Sequence, residues 1–324
     1  MNIFFQKIFR KRNKKIKELY KRSKNIVNPN YIHDNSYEEF FVDTGDLKFK
    51  YDNNNNFSSE KNNDGSNQEI ITVDRRYIKI IKRKRKKDRF INLNNRYGYI
   101  IELKNVSKDY IVGKNKIVKI LNNLNIDIKK GEFVILFGKS GSGKSTLLNI
   151  MSGLDRATLG NVVVANTNLP YLSNEQLTKF RRQNVAFIFQ QYHLLNNITG
   201  YENVETGAIL QKNKKDIDIK KLFEEFDLLD VMNKYPSQMS GGQQQRISIM
   251  RAIAKDANII FADEPTSALD KNTSVAVMEL LRKINKEYGT TIVMVSHDPN
   301  MIKYASRKIF LNKGKIVSDE KVEG

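Results

Sequence analysis

The chain has 324 residues, of which 28% are charged, carries a formal net charge of +20, and contains no cysteine or tryptophan. The absence of cysteine excludes a disulfide framework and any thiolate metal centre, and fits a reducing compartment. No run approaches the ~18 apolar residues needed to cross a bilayer, and the positive charges follow the short apolar start instead of preceding it, so a secretory signal is not expected.

The charge is uneven. Residues 1–98 hold 24 Lys/Arg against 12 Asp/Glu, and residues 99–324 hold 32 against 24, so the first segment carries +12 of the +20. It also contains the tract Asn53-Asn54-Asn55-Asn56 and the block Lys82-Arg83-Lys84-Arg85-Lys86-Lys87. Such a composition buries too little apolar surface to offset its ordering entropy, so residues 1–98 are expected to be a basic, low-complexity, largely disordered extension. Within it, Phe5, Ile8, Phe9, Ile16, Leu19 and Tyr20 fall near one helical face, and ten Lys/Arg crowd residues 7–24. That pattern suits a helix lying on an anionic lipid surface; a solvated basic tail and an organellar address are the other readings. The Lys, Asn and Ile content points to an AT-rich genome, which weakens any functional reading of the basic residues.

From residue 99 onward, short apolar runs alternate with amphipathic stretches, as in an α/β domain. Glu132-Phe133-Val134-Ile135-Leu136-Phe137 is a β-prone run. It ends in Gly138-Lys139-Ser140-Gly141-Ser142-Gly143-Lys144-Ser145-Thr146, followed by a helical pattern with Leu147, Leu148, Ile150 and Met151. Strand, glycine loop, helix is the context of a phosphate loop, in which backbone N–H groups and a helix N-terminus hold nucleotide phosphates. Lys144 is expected on the β- and γ-phosphates and Ser145 on Mg²⁺. Asn258-Ile259-Ile260-Phe261-Ala262 reads as a buried strand that stops at Asp263-Glu264. Asp263 is expected to hold Mg²⁺ through water, and Glu264 to act as general base on the attacking water.

Met239-Ser240-Gly241-Gly242-Gln243 and Pro265-Thr266-Ser267-Ala268-Leu269-Asp270 complete the series, with Gln190 after Phe187-Ile188-Phe189 and His297 in Val295-Ser296-His297-Asp298. Over residues 99–320 this order resembles the nucleotide-binding subunits of ABC transporters. The resemblance implies an ABC-type phosphate-loop ATPase core, mainly parallel with an antiparallel β flank, and a small helical subdomain over about 191–236. It implies that Tyr110 stacks on adenine and that Gln190 touches the metal and the attacking water. Ser240, Gly241, Gly242 and Gln243 would contact the γ-phosphate held by a second copy of the chain. Asp270 would close a loop that crosses between subunits, and His297 would contact the γ-phosphate. The signature opens with Met239 where leucine is usual, a swap of similar volume, and Lys139 adds a cation without changing the glycine spacing.

Thr146 and Ser240 are only 94 residues apart with no sustained heptads, which disfavours the chromosome and DNA-repair ATPases that insert a coiled coil there. A single such domain disfavours the translation-associated class, so nucleic acid is not expected as a partner. Gln191 to Val204 looks like the corresponding segment of the MacB, LolD and FtsE group, with polar amino-acid importer ATPases as the alternative. The implied partners are a polytopic membrane permease and a second copy of the chain. The implied location is peripheral, on the cytoplasmic face of the cell membrane. The permease would set the substrate.

Overall fold

The computed structural model describes residues 69–72, 95–112, 116–211 and 217–322. The expected lipid-binding helix over residues 1–25 and the basic block at 82–87 lie outside these residues. The described chain builds two sheets. The antiparallel one has the order β1-β3-β2-β5-β6, from β1 (Glu69–Thr72), β2 (Tyr99–Val112), β3 (Lys116–Lys129), β5 (Leu159–Val164) and β6 (Thr167–Asn168). The other has the order β11-β10-β4-β9-β8-β7, from β4 (Phe133–Phe137), β7 (Val185–Ile188), β8 (Ile259–Asp263), β9 (Thr291–Ser296), β10 (Arg307–Asn312) and β11 (Lys315–Lys321). Every pairing in this second sheet is parallel except β10 with β11. A mainly parallel sheet with an antiparallel flank matches the expected fold class.

Alternation along the parallel strands explains why they read as continuous apolar runs. Successive side chains point to opposite faces, and both faces are covered. Phe133, Ile135, Ile260, Ala262, Ile292 and Met294 join one core with α3 (Gly200–Ile209), α4 (Ile219–Glu225), α5 (Gly241–Ala254) and α6 (Lys271–Tyr288). Val134, Leu136, Ile259, Phe261, Val293 and Val295 join the other, with α1 (Lys144–Ser152), α2 (Asn174–Asn184) and the antiparallel sheet.

Two features lie inside the stretch expected to stand apart from the domain. β1 pairs with β3 from Glu69↔Lys119 to Thr72↔Lys116. Arg96 bonds Glu102 through both its backbone N–H and its guanidinium, at 2.7 Å each, and also pairs with Asp127. Residues 191–236, expected as a helical insertion, contain α3, α4 and two 3-10 turns, Leu229–Val231 and Pro236–Gln238.

The crossing of α3 and α5 is close because α3 carries Gly207, where a Cβ would collide with the carbonyl oxygen of Arg251 in α5. Gly207→Ala gains about 1 kcal/mol of helix propensity, but the overpacking costs about 1–3 kcal/mol against backbone that cannot yield. Urea denaturation is expected to show a net loss of stability; equal or higher stability would contradict the close crossing.

Candidate nucleotide site

The site forms at one end of the parallel sheet because β9 pairs with both β4 and β8. Phe137↔Ser296 and Asp263↔Val295 are the last pairs of the two ladders. The glycine loop after Phe137, the carboxylates Asp263 and Glu264, and His297 therefore leave the sheet at the same level. Gln190, exposed two residues past β7, emerges at that edge as well, since Ile188 pairs with Ala262.

The loop is shaped by its glycines. Gly143 sits at φ 99°, and a Cβ there would lie 2.7 Å from Leu121 Cδ2, so glycine is required for both conformation and space. Gly143 also precedes α1 without any side-chain cap, and the first turn of α1 holds no acidic residue. The other five α-helices among the described residues are each capped by a side chain: Ser173, Thr199, Asp218, Ser240 and Asp270. The first-turn donors of α1 thus face an exposed loop with their partial positive charge uncompensated, the condition that favours an anion.

Lys144 crosses back over this loop, donating to the carbonyls of Gly138 at 2.8 Å and Lys139 at 2.9 Å. Burial lowers its pKa, opposed by the charges of Glu264 and Asp263. Ser145 donates to Asp263 Oδ1 at 3.0 Å. Burial raises the Asp263 pKa; the Ser145 hydrogen bond acts the other way, and Glu264 adds to the rise. Lys139, Ser140 and Gly141 are exposed, Thr146 is half-buried, and Ser142 is buried with its hydroxyl oxygen lacking a protein partner.

Glu264 has a left-handed backbone at φ 46°, uncommon for a residue with a side chain. Its N–H donates to Val295 O, while its carbonyl accepts from the Ser267 N–H and hydroxyl, which fixes the turn. The outcome is a carboxylate 3.1 Å from His297 Nδ1. With a carboxylate as its acceptor, Nδ1 carries the proton and donates it. The His297 side chain is 61% exposed and that of Glu264 24%, so the pair lies at the surface beside the loop.

Tyr110 lies on β2. Its hydroxyl donates to Asp155 Oδ2 at 2.6 Å. Its pKa is pushed up to about 12, first by burial and then by Asp155. Ser240 and Gln243 form a capping box on α5, with Ser240 Oγ accepting from Gln243 N–H and Gln243 Oε1 from Ser240 N–H. The Ser240 hydroxyl proton is not used in that box. A Cβ on Gly241 would meet Tyr192 Oη at 2.7 Å, and one on Gly242 would meet Thr273 Cγ2 at 2.5 Å. Asp270 caps α6, accepting from the N–H groups of Asn272 and Thr273, and the Thr273 hydroxyl bond holds its pKa down.

Sequence reasoning missed Lys108 and Asp155 beside Tyr110, Tyr192 against Gly241, and Arg251, which donates to the carbonyls of Tyr192 and His193. Apart from Lys108 and Tyr110, two positions apart on β2, these contacts join residues dozens of positions apart, and no local spacing marks them. Among the described residues no cluster of three His, Cys, Asp or Glu side chains forms a metal cage. The hydroxyl of Ser145 and the carboxylate of Asp263, 3.0 Å apart, suit Mg²⁺, which takes oxygen ligands, often only one or two of them carboxylates, and completes its shell with phosphate and water.

Residues 121–267 match the ABC transporter family. The ABC transporter ATP-binding protein MJ0796 of Methanocaldococcus jannaschii is 43% identical over 234 residues, 69% of this chain and 98% of that protein. A solved dimer of MJ0796 in a post-hydrolysis state with ADP and Pi superposes with a TM-score of 0.64 at 41% identity, covering 69% of this chain and all of that one. The macrolide export ATP-binding/permease protein MacB 2 of Yersinia pestis bv. Antiqua is 40% identical over 223 residues, 68% of this chain but only 33% of that protein.

Because Asp263 is held partly buried with a raised pKa, its ionised form costs stability at pH values above that pKa and nothing below the ordinary carboxylate range. Asp263→Asn is therefore expected to raise the Tm of the nucleotide-free protein at pH 7. The gain should shrink as pH falls toward 4. A lower Tm for the variant at neutral pH would contradict this electrostatic account.

Proposed function

This chain belongs to the ABC transporter family and is an ATP-binding, ATP-hydrolysing subunit, and on that footing we propose that two copies close face to face on two ATP·Mg to drive a separate membrane permease. The observation that carries the reading is the convergence at one sheet edge of an uncapped helix N-terminus, Lys144, the Ser145–Asp263 pair and the Glu264–His297 pair. MJ0796 has been solved as a dimer bound to ADP and Pi, which supports pairing of two copies. MacB 2 is an ATP-binding/permease protein for macrolide export, which supports an export-type permease as the partner. No helix among the described residues is long and apolar enough to cross a membrane.

In this reading the N–H groups from Gly138 to Thr146 and the Lys144 ammonium hold the phosphates, and Tyr110 stacks on adenine. Mg²⁺, held by Ser145, Gln190 and Asp263, supplies charge neutralisation at the phosphates. Glu264 orients the attacking water and takes its proton, a contribution of about 10²–10⁴ in rate. His297 fixes the Glu264 carboxylate by donating from Nδ1, and when the ring is doubly protonated its Nε2–H donates to a γ-phosphate oxygen as well. From the second copy, the unused Ser240 hydroxyl proton and the N–H groups behind Gly241 and Gly242 complete the γ-phosphate shell, with Gln243 holding the capping box and Asp270 the crossing loop. Residues 191–236 face the permease, and the complex sits on the cytoplasmic face of the membrane.

Glu264→Gln keeps every group that binds ATP and removes the base. Purified variant is expected to elute as a dimer with ATP and to release phosphate at least about 10²-fold more slowly than the parent. Normal turnover would overturn the role given to Glu264. Mild-detergent purification of the tagged chain is expected to bring a polytopic membrane protein with it; ribosomes or DNA in its place would move the chain to a non-transport role.

A further inference from the structure

Tyr110 is held by more than its own strand. Its hydroxyl donates to Asp155 Oδ2 at 2.6 Å, and the Lys108 ammonium donates to Asp155 Oδ1 at 2.7 Å. The same ammonium donates to the Arg156 carbonyl at 2.8 Å and lies 4.5 Å from the centroid of the Tyr110 ring. The Lys108 side chain is only 7% exposed. A buried ammonium is costly unless paired, and here its partners are one carboxylate, one carbonyl and the face of an aromatic ring. One face of Tyr110 is thus taken by a cation. The residue keeps 39% exposure, and among the described residues no other ring or cation stacks on it.

Asp155 is itself registered to the phosphate loop. α1 ends at Gly153, in the left-handed conformation at φ 74°. The chain then turns back, and the N–H groups of Leu154 and Asp155 both donate to the carbonyl of Asn149, one turn on from Thr146. Thr146, which closes the phosphate loop, acts on the Tyr110 hydroxyl too. The aromatic side chain is therefore tied through Asp155 to the helix whose other end holds the phosphates.

We propose that Lys108 and Asp155 are positioning residues that clamp the Tyr110 ring in a fixed plane against α1, so that its open face meets the adenine of a nucleotide whose phosphates sit in the Gly138–Thr146 loop. The inference rests on the nucleotide site put forward above, and it adds that base recognition needs the clamp and not merely the ring. Free in solution, a tyrosine side chain on an exposed β-arm samples several rotamers, and stacking must fix one of them. The clamp removes that cost before the nucleotide arrives. Tyr110→Phe is the sharpest variant, because it keeps the ring and removes only the hydroxyl, with its bond to Asp155 and its contact with Thr146.

The test is calorimetric binding of ADP and of inorganic pyrophosphate, each with Mg²⁺, to the full chain and to Tyr110→Ala, Tyr110→Phe, Asp155→Asn and Lys108→Met. Pyrophosphate lacks the base and reports the phosphate loop alone. Tyr110→Ala is expected to weaken ADP about five- to a hundredfold. Tyr110→Phe and Asp155→Asn should weaken it about three- to tenfold, and Lys108→Met should weaken it in the same direction. Pyrophosphate affinity should stay within about twofold of the parent throughout. If Tyr110→Ala weakens ADP while Tyr110→Phe and Asp155→Asn do not, the clamp is refuted and the stacking role stands. If Tyr110→Ala leaves ADP unchanged, the stacking role itself falls. Equal losses for ADP and pyrophosphate in Asp155→Asn would overturn the clamp, since Asp155 would then serve the loop or the fold.

Discussion

Strand β9 hydrogen-bonds to β4 on one side and to β8 on the other, and the register of these two ladders is what the site rests on. A slip of one residue in a strand turns its side chains to the opposite face. Here a slip would withdraw Asp263 from Ser145 and Glu264 from His297, and would bury polar groups between two apolar layers. The register is protected by the cores it separates. Ile135 and Met294 pack on one side of the sheet while Leu136, Val293 and Val295 pack on the other. Site geometry and hydrophobic burial are therefore enforced by the same alternation.

Electrostatics at that edge is arranged in opposing pairs. Burial weakens the ionised state of both Lys144 and Asp263, and their mutual attraction works against that burial. The α1 N-terminus adds positive potential that no side chain cancels, although five other helix starts are capped. Loss of stability at a site in exchange for affinity is common where a ligand completes the charge balance. The left-handed backbone of Glu264 belongs to the same pattern. A conformation uncommon for a non-glycine residue is held by three hydrogen bonds where the carboxylate must face its histidine.

Much of this was legible in the sequence, because phosphate binding constrains local spacing. Gly138 to Thr146, Asp263-Glu264 and His297 each follow directly on an apolar strand, and the parallel α/β class followed from those runs. What could not be read were contacts between distant segments. Lys108 meets Asp155, Tyr192 meets Gly241 and Arg251 holds the carbonyls of Tyr192 and His193. None of these residue types is unusual where it stands, and only the folded topology brings them together. β1 was hidden for another reason: Glu69-Ile70-Ile71-Thr72 is four residues inside a polar, charge-rich stretch, too short to stand out from its surroundings.

The signature segment has a double nature that ties the fold to assembly. Ser240 caps its own helix with its oxygen and keeps a hydroxyl proton to give, while Tyr192 and Thr273 crowd Gly241 and Gly242 from within the same chain. In the proposed dimer this segment meets the phosphate loop of another copy, and the absence of native cysteine makes that directly measurable. One batch of protein would carry Lys139→Cys and another Gln243→Cys, and the two would be mixed under oxidising conditions or with a short bis-maleimide. A cross-linked species joining the two different variants, formed with ATP and not without it, is the predicted result. No mixed cross-link, or one formed equally without nucleotide, would contradict the account.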